Sequence, residues 1–170
     1  SIASLLTTFE NVLPERECRR EGGSIPSYVV GALLRNGPGV FEYGETQFKH
    51  WFDGEAYVQK YSFKDGKMFY SARILETDTR LKNKEANRIV IGSFGTRVIP
   101  DPCKTLFQRF AWFFQRDPIS DNTSVAFQEL GDSIYALTET PLMVPLSTET
   151  LDVGTTMETS SSLICTPPSY

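Results

Sequence analysis

A single histidine, His50, and three cysteines, Cys18, Cys103 and Cys165, are all the imidazoles and thiols in these 170 residues. Zinc and non-haem iron sites need three or four converging nitrogen, sulfur or carboxylate ligands, so a self-contained metal site is not expected. The cysteines are odd in number and far apart, which leaves no disulfide framework and no C-x-x-C knuckle, and points to a reducing compartment. There is no excess of positive charge either. Seventeen Lys and Arg stand against 21 Asp and Glu, interspersed, with a net charge of −4; nucleic acid is excluded as the natural partner. The longest apolar run near the start, residues 2–6, is too short for a secretory segment or a bilayer span. No Gly-x-Ser-x-Gly elbow surrounds His50, and "RNGPG" lacks the Lys-Ser/Thr ending of a phosphate loop. Gly37 and Gly39, on either side of Pro38, read instead as a tight turn.

What the chain does have is apolar surface: 40% of its residues are hydrophobic and 12% aromatic, ample for the core of one domain. Residues 57–63 and 68–75 are rich in aromatic and branched side chains and flank Asp65-Gly66, a strong hairpin signal. Residues 86–94, with Ile89, Val90 and Ile91, predict a third strand. Residues 124–130 and 133–140, around Gly131-Asp132, repeat the strand–turn–strand form, and residues 142–146 predict another strand after Pro141. Strands at this spacing without alternating helices predict an all-β sandwich, barrel or propeller. Residues 1–24 read as a lead-in with a weak helix in its first half, and residues 154–170, rich in Ser and Thr, as a weakly structured tail.

Residues 100–116, "PDPCKTLFQRFAWFFQR", break the β texture. Cys103, Leu106, Phe107, Phe110, Ala111 and Phe114 recur at helical spacing, and Trp112 and Phe113 widen the apolar face. Two readings stay open on the residues alone. The helix packs on a sheet, or it lies in a membrane interface with Lys104, Arg109 and Arg116 at the headgroups. His50, between Lys49 and Trp51-Phe52, reads as a packed histidine or a donor to a nearby carbonyl. The carboxylate pairs Asp53 with Glu55 and Glu139 with Glu149 could serve acid–base chemistry on sugars, but read as solvated or capping groups.

Four blocks, "GALLRNGPGVFEYGETQFKHWFDGEA", "NRIVIGSFGTRVIPDPCKTLFQRF", "SDNTSV" and "DSIYALTETPL" with "STETLD", resemble the carotenoid cleavage oxygenases, in that family's order and over residues 22–152. The resemblance implies a partial seven-bladed β-propeller over residues 25–152, with one aromatic interfacial helix, a lead-in over 1–24 and a divergent tail over 153–170. It implies an iron(II)-dependent dioxygenase that cleaves a carotenoid or apocarotenoid polyene with O₂. Glu139 would hydrogen-bond an iron-ligating histidine, and Phe94 and Thr138 would line the substrate cavity. Cys103, Leu106, Phe107, Phe110, Trp112, Phe113 and Phe114 would contact the membrane, tipping the helix toward an anchor, with Cys103 matching a cysteine considered for acylation. Arg35, Gly37, Pro38, Gly39, His50, Trp51, Phe52, Asp53 and Gly54 would be a structural signature. His50, Trp51 and Phe52 would brace the sheet and Asp53-Gly54 would shape a turn.

The family holds iron with four histidines, and His50 matches none of them. The first is due where "VGTTMETSSSLICTPPSY" replaces the family's motif. The resemblance therefore implies Fe(II) in the complete family protein, none bound by this chain, and no catalytic residue within it. The expected location is cytoplasmic and peripheral to a membrane. The alternative reading is a catalytically silent product that binds membrane, lipid or a full-length relative, and self-associates through exposed strand edges.

Overall fold

The computed structural model describes residues 6–98, 105 and 119–159. The aromatic segment at 100–116 therefore lies outside the described residues apart from Thr105. So do Cys103, Leu106, Phe107, Phe110, Trp112, Phe113 and Phe114. Among the described residues no helix is long and apolar enough to cross a membrane.

Two four-stranded antiparallel sheets make the framework. The first contains β1 (Leu13–Glu17), β2 (Gly31–Val40), β5 (Glu55–Lys64) and β6 (Lys67–Ile74), in the order β1-β6-β5-β2. The small β3 (Glu42–Tyr43) and β4 (Thr46–Gln47) pair with each other between them. The second contains β7 (Ala126–Leu130), β8 (Ser133–Leu137), β9 (Leu142–Leu146) and β10 (Met157–Glu158), in the order β10-β9-β8-β7. Strands β2 and β7, at the edges of their sheets, lie against each other.

The Asp65-Gly66 hairpin forms as predicted. Lys64 pairs with Lys67, and both turn residues take left-handed φ, +53° and +70°, as a two-residue hairpin of type I′ requires. Gly131 likewise sits at φ +60° in the β7–β8 turn, between paired Leu130 and Ser133. Alternation along β5 divides the core. Tyr57 faces one side with Val40, Tyr43, Phe48, Ala72, Ile74 and Ile89. Ala56 and Val58 face the other, packing with Leu75 on Ala136, Leu146 and Leu151 of the second sheet region. Burial of this second cluster is what joins the two sheets.

Three expectations are corrected. The second half of the lead-in, for which no element was expected, contributes β1: Leu13 pairs with Ala72 and Glu17 with Phe69. Pro14 is tolerated there because β1 is itself an edge; the helix expected in the first half falls partly on residues 1–5, outside the described set. Residues 86–94 form no strand. The nine-residue helix α1 (Asp78–Ala86) occupies the preceding segment and ends at Asn87, in left-handed conformation at φ +49°. Ile89 and Ile91 are buried as coil, the Ile89 amide donating to Thr46 Oγ1 and the Val90 amide to Asn83 Oδ1.

"RNGPG" is not a tight turn. It lies in β2, with an irregularity in register between Pro38 and Val40, and neither Gly37 nor Gly39 has a positive φ. Gly39 is required by close approach, since a methyl group there would stand 2.6 Å from the Cβ of Tyr57. The tail, lastly, contributes β10, whose Met157 pairs with Met143; residues 160–170 lie outside the described set.

Candidate functional site

Most of the charged groups that burial isolates are fully engaged. Glu55 and Arg80, each 2% exposed, form an ion pair of 3.2 Å beneath the first sheet. Asn83 Nδ2 donates to the other Glu55 oxygen at 2.9 Å, and the Tyr43 hydroxyl donates a short bond to Glu55. Arg80 also meets Glu10 at 2.8 Å and Glu76 at 3.1 Å. Burial drives the Glu55 carboxyl above its usual range despite the Tyr43, Asn83 and Arg80 contacts that oppose the shift. It drives the Tyr43 hydroxyl up as well, helped by the Glu55 charge. Engaged with one another in this way, these side chains fasten α1 to the sheet and to the N-terminal segment.

Asp121 does a similar job at the start of α1. Its carboxylate accepts from the amides of Asp78 and Thr79, at 3.0 and 2.8 Å, and from Thr156 Oγ1 at 2.9 Å. Burial alone would raise its pKa, but these donors hold it below the usual carboxylate range. Thr77 caps the same helix, its hydroxyl accepting from the Arg80 amide. The helix N-terminus is thus filled by the protein's own groups.

The region around "HWFDG" differs. Trp51–Asp53 form a 3-10 helix capped by His50, whose Nδ1 accepts from the Phe52 amide at 3.2 Å. Trp51 packs on buried Phe41, with ring centroids 5.3 Å apart. Phe52 is 65% exposed, and Phe94 is 73% exposed beside it. Asp53, by contrast, is fully buried. Its Oδ1 accepts from the Gly95 amide at 2.8 Å and its Oδ2 from Thr96 Oγ1 at 2.6 Å. The expected turn at Asp53-Gly54 is in fact the end of the 3-10 helix, with Gly54 packed against Pro38 and Phe41.

These aromatics stand on the rim of a cleft of about 730 Å³. Its walls come from three places: Asn36, Gly37 and Pro38 of β2 with Trp51 and Phe52; Gly92, Ser93, Phe94, Thr96 and Arg97; and Ile119, Ser120, Asn122, Ser124 and Val125 ahead of β7 with Thr138, Glu139 and Thr140 of the β8–β9 loop. The first sheet and the loops of the second therefore contribute. Asn122 links them, donating to the Gly54 carbonyl at 2.9 Å and accepting from the Ala56 amide at 2.9 Å. A concave volume of this size, rimmed by rings and holding a few polar groups, suits a largely apolar small molecule.

The structure brings Phe94, Thr138 and Glu139 together in this cleft, along with Gly37, Pro38, Trp51 and Phe52. Arg35 stands on the exposed face of β2, paired in register with Gln59. Gly39 and Gly54 are packing positions. The Glu139 carboxylate is exposed and takes no hydrogen bond from a described residue. Asn36, Thr96 and Asn122 were not singled out by sequence; the polar run "SDNTSV" just before a strand is the signal that could have found Asn122.

These residues do not fit an iron ion. Among the described residues no three His, Cys, Asp or Glu side chains converge, and the one imidazole spends Nδ1 on its helix cap. The described residues of the site can enclose an apolar ligand and place a carboxylate beside it.

Two four-stranded antiparallel sheets beside a ligand-sized cleft are the described frame. The comparisons place that frame. The family model described as retinal pigment epithelial membrane protein matches residues 6–165, and this chain belongs to that family, the carotenoid oxygenases. It is 44% identical over 131 residues to the carotenoid isomerooxygenase of Galleria mellonella, covering 76% of this chain and 26% of that one. It is 42% identical over 132 residues to the β,β-carotene 15,15′-dioxygenase of Mus musculus, covering 76% and 23%. Among solved structures, cobalt-substituted Synechocystis apocarotenoid oxygenase superposes with a TM-score of 0.71 at 25% identity, over 87% of this chain and 29% of the other. A chimera of that oxygenase with RPE65 gives 0.72 at 24% identity, over 87% and 30%. The chain spans about a quarter of the length of the curated relatives it matches.

Proposed function

We propose that this chain is the N-terminal portion of an iron(II)-dependent carotenoid cleavage dioxygenase, contributing the first blades of a seven-bladed propeller and one wall of its polyene site. The observation that carries the reading is the cleft, in which Phe94 from the segment after α1 meets Thr138 and Glu139 of the β8–β9 loop, in a chain of this family. Phe94 and Thr138 contact the polyene. Glu139 accepts a hydrogen bond from an iron-ligating imidazole and fixes its tautomer and orientation, a task for which a cleft carboxylate that no described residue engages is suited. The imidazoles themselves come from outside these residues, since His50 is committed elsewhere.

The chain alone is inactive in this reading. The aromatic segment around Phe110 brings the site to a membrane surface, from which an insoluble polyene is extracted with little exposure to water. The protein works as a peripheral membrane protein on the cytoplasmic side. Metal analysis of the purified chain tests the first point: substoichiometric iron and no oxygen-dependent apocarotenal are expected, whereas one tightly held iron per chain contradicts the reading. Liposome flotation tests the second, with Phe110→Asp expected to abolish binding; unchanged flotation removes the membrane role.

A further inference from the structure

Phe94 presents a physical problem. It is a large apolar ring, 73% exposed, on a segment without strand pairing, and such a ring left to itself samples several rotamers. A rigid conjugated ligand gains affinity from a wall that is already in place, because ordering the wall on binding costs free energy.

The structure supplies that order from the neighbouring turn, in two separate contacts. The backbone just after Phe94 is held by buried Asp53, through the Gly95 amide and the Thr96 hydroxyl, and Thr96 Oγ1 accepts in turn from the Lys49 amide at 2.7 Å. The ring is met edge-on by His50, with centroids 5.2 Å apart and planes at 66°. His50 is itself immobilised. Its Nδ1 is engaged with the Phe52 amide, and its Cβ lies so close to Gly95 that any side chain at position 95 would collide with it. The Phe52 ring lies 5.1 Å from the imidazole and 6.3 Å from the Phe94 ring, so the three rings form a triangle.

We infer that His50 and Asp53 are positioning residues for the polyene wall: Asp53 fixes the backbone that carries Phe94, and His50 fixes the orientation of its ring. This rests on the cleft being the polyene site. It gives the lone histidine a role that is neither metal ligation nor core packing. The two functions of its side chain are separable by substitution. His50→Asn keeps a good cap for the Phe52 amide but removes the ring. His50→Phe keeps a ring against Phe94 and removes the cap.

The test uses the 170-residue chain with 4-fluorophenylalanine at position 94, observed by fluorine NMR, and a parallel titration with a β-apocarotenal in detergent. One sharp resonance is expected for the parent and for His50→Phe. A broadened or split resonance is expected for His50→Asn and for Asp53→Asn, with apocarotenal affinity lowered about three- to tenfold in the His50→Asn chain. The His50→Phe chain should melt lower yet bind as the parent does, a split that a merely structural histidine would not produce. A sharp, unshifted line in His50→Asn overturns the positioning role whatever the chain binds. A broadened line with unchanged affinity overturns its bearing on the ligand. Failure of the parent to bind the apocarotenal, with the fluorine lines behaving as expected, overturns the cleft reading and leaves the ring-positioning result standing by itself.

Discussion

The cluster beneath the first sheet and the cleft between the sheets both contain charged and aromatic groups, and they differ in what is left over. Under the sheet, Glu55, Arg80, Tyr43 and Asn83 satisfy one another and Arg80 reaches two further carboxylates. In the cleft, Phe52 and Phe94 face solvent and Glu139 takes no hydrogen bond from a described residue. A saturated cluster can only hold the fold, whereas an unsaturated one has capacity to bind something else. Buried charge and perturbed titration alone would have chosen the cluster instead of the cleft, since burial pushes both Glu55 and Tyr43 upward there.

Substitutions should separate the two regions. Arg80→Met leaves Glu55 buried without its counter-charge and is expected to cost about 3–5 kcal/mol, read as a lowered urea midpoint at unchanged slope. A loss near zero would mean the cluster is not what fixes α1. Asp121→Asn should cost roughly 2 kcal/mol at neutral pH, the range for hydrogen bonds to a charged group. Its pH dependence has a definite sign. Because the folded pKa of Asp121 is depressed, its contribution is present above the unfolded value and disappears as pH falls through the folded one. The parent and Asp121→Asn chains should therefore converge in stability on acidification. Glu55 acts in the opposite direction, its raised pKa subtracting stability as pH rises from the unfolded value through the folded one.

Substitutions in the cleft should leave the fold alone. Phe94→Ala is expected to change stability by no more than about 0.5 kcal/mol, as exposed positions do, and Glu139→Gln likewise. Calorimetry on both checks this, and a large loss in either would erase the contrast with Arg80.

Much of this was legible in the sequence, and the failures have physical causes. The two hairpins announced themselves because Asp65-Gly66 and Gly131-Asp132 meet backbone requirements that few residues can. Helix α1 did not, because "DTRLKNKEA" is polar on nearly every face: what it buries is Thr79, Arg80 and Asn83, so no apolar stripe marks it. Ile89 and Ile91 look like strand residues because burial, not pairing, selected them. The RNGPG glycines suggested a turn when the constraint was the Tyr57 side chain lying across Gly39, a contact 18 positions away in sequence.

The site was legible only by resemblance. Phe94, Thr138 and Glu139 have nothing in their local spacing that marks a cleft, and only the meeting of the two sheets brings them together. Asp53 was grouped with a structural signature, but its partners at Gly95 and Thr96 could not be read from "HWFDG".

The most direct test of the cleft as the ligand site is a β-apocarotenal titration in detergent, followed by quenching of Trp51 on the cleft rim. It compares the parent with Phe94→Ala, both carrying Trp112→Phe so that Trp51 is the only tryptophan. Saturable quenching in the parent is predicted, weakened by about tenfold in Phe94→Ala through loss of one aromatic contact, with melting temperatures unchanged. Superimposable curves for the two chains would contradict it.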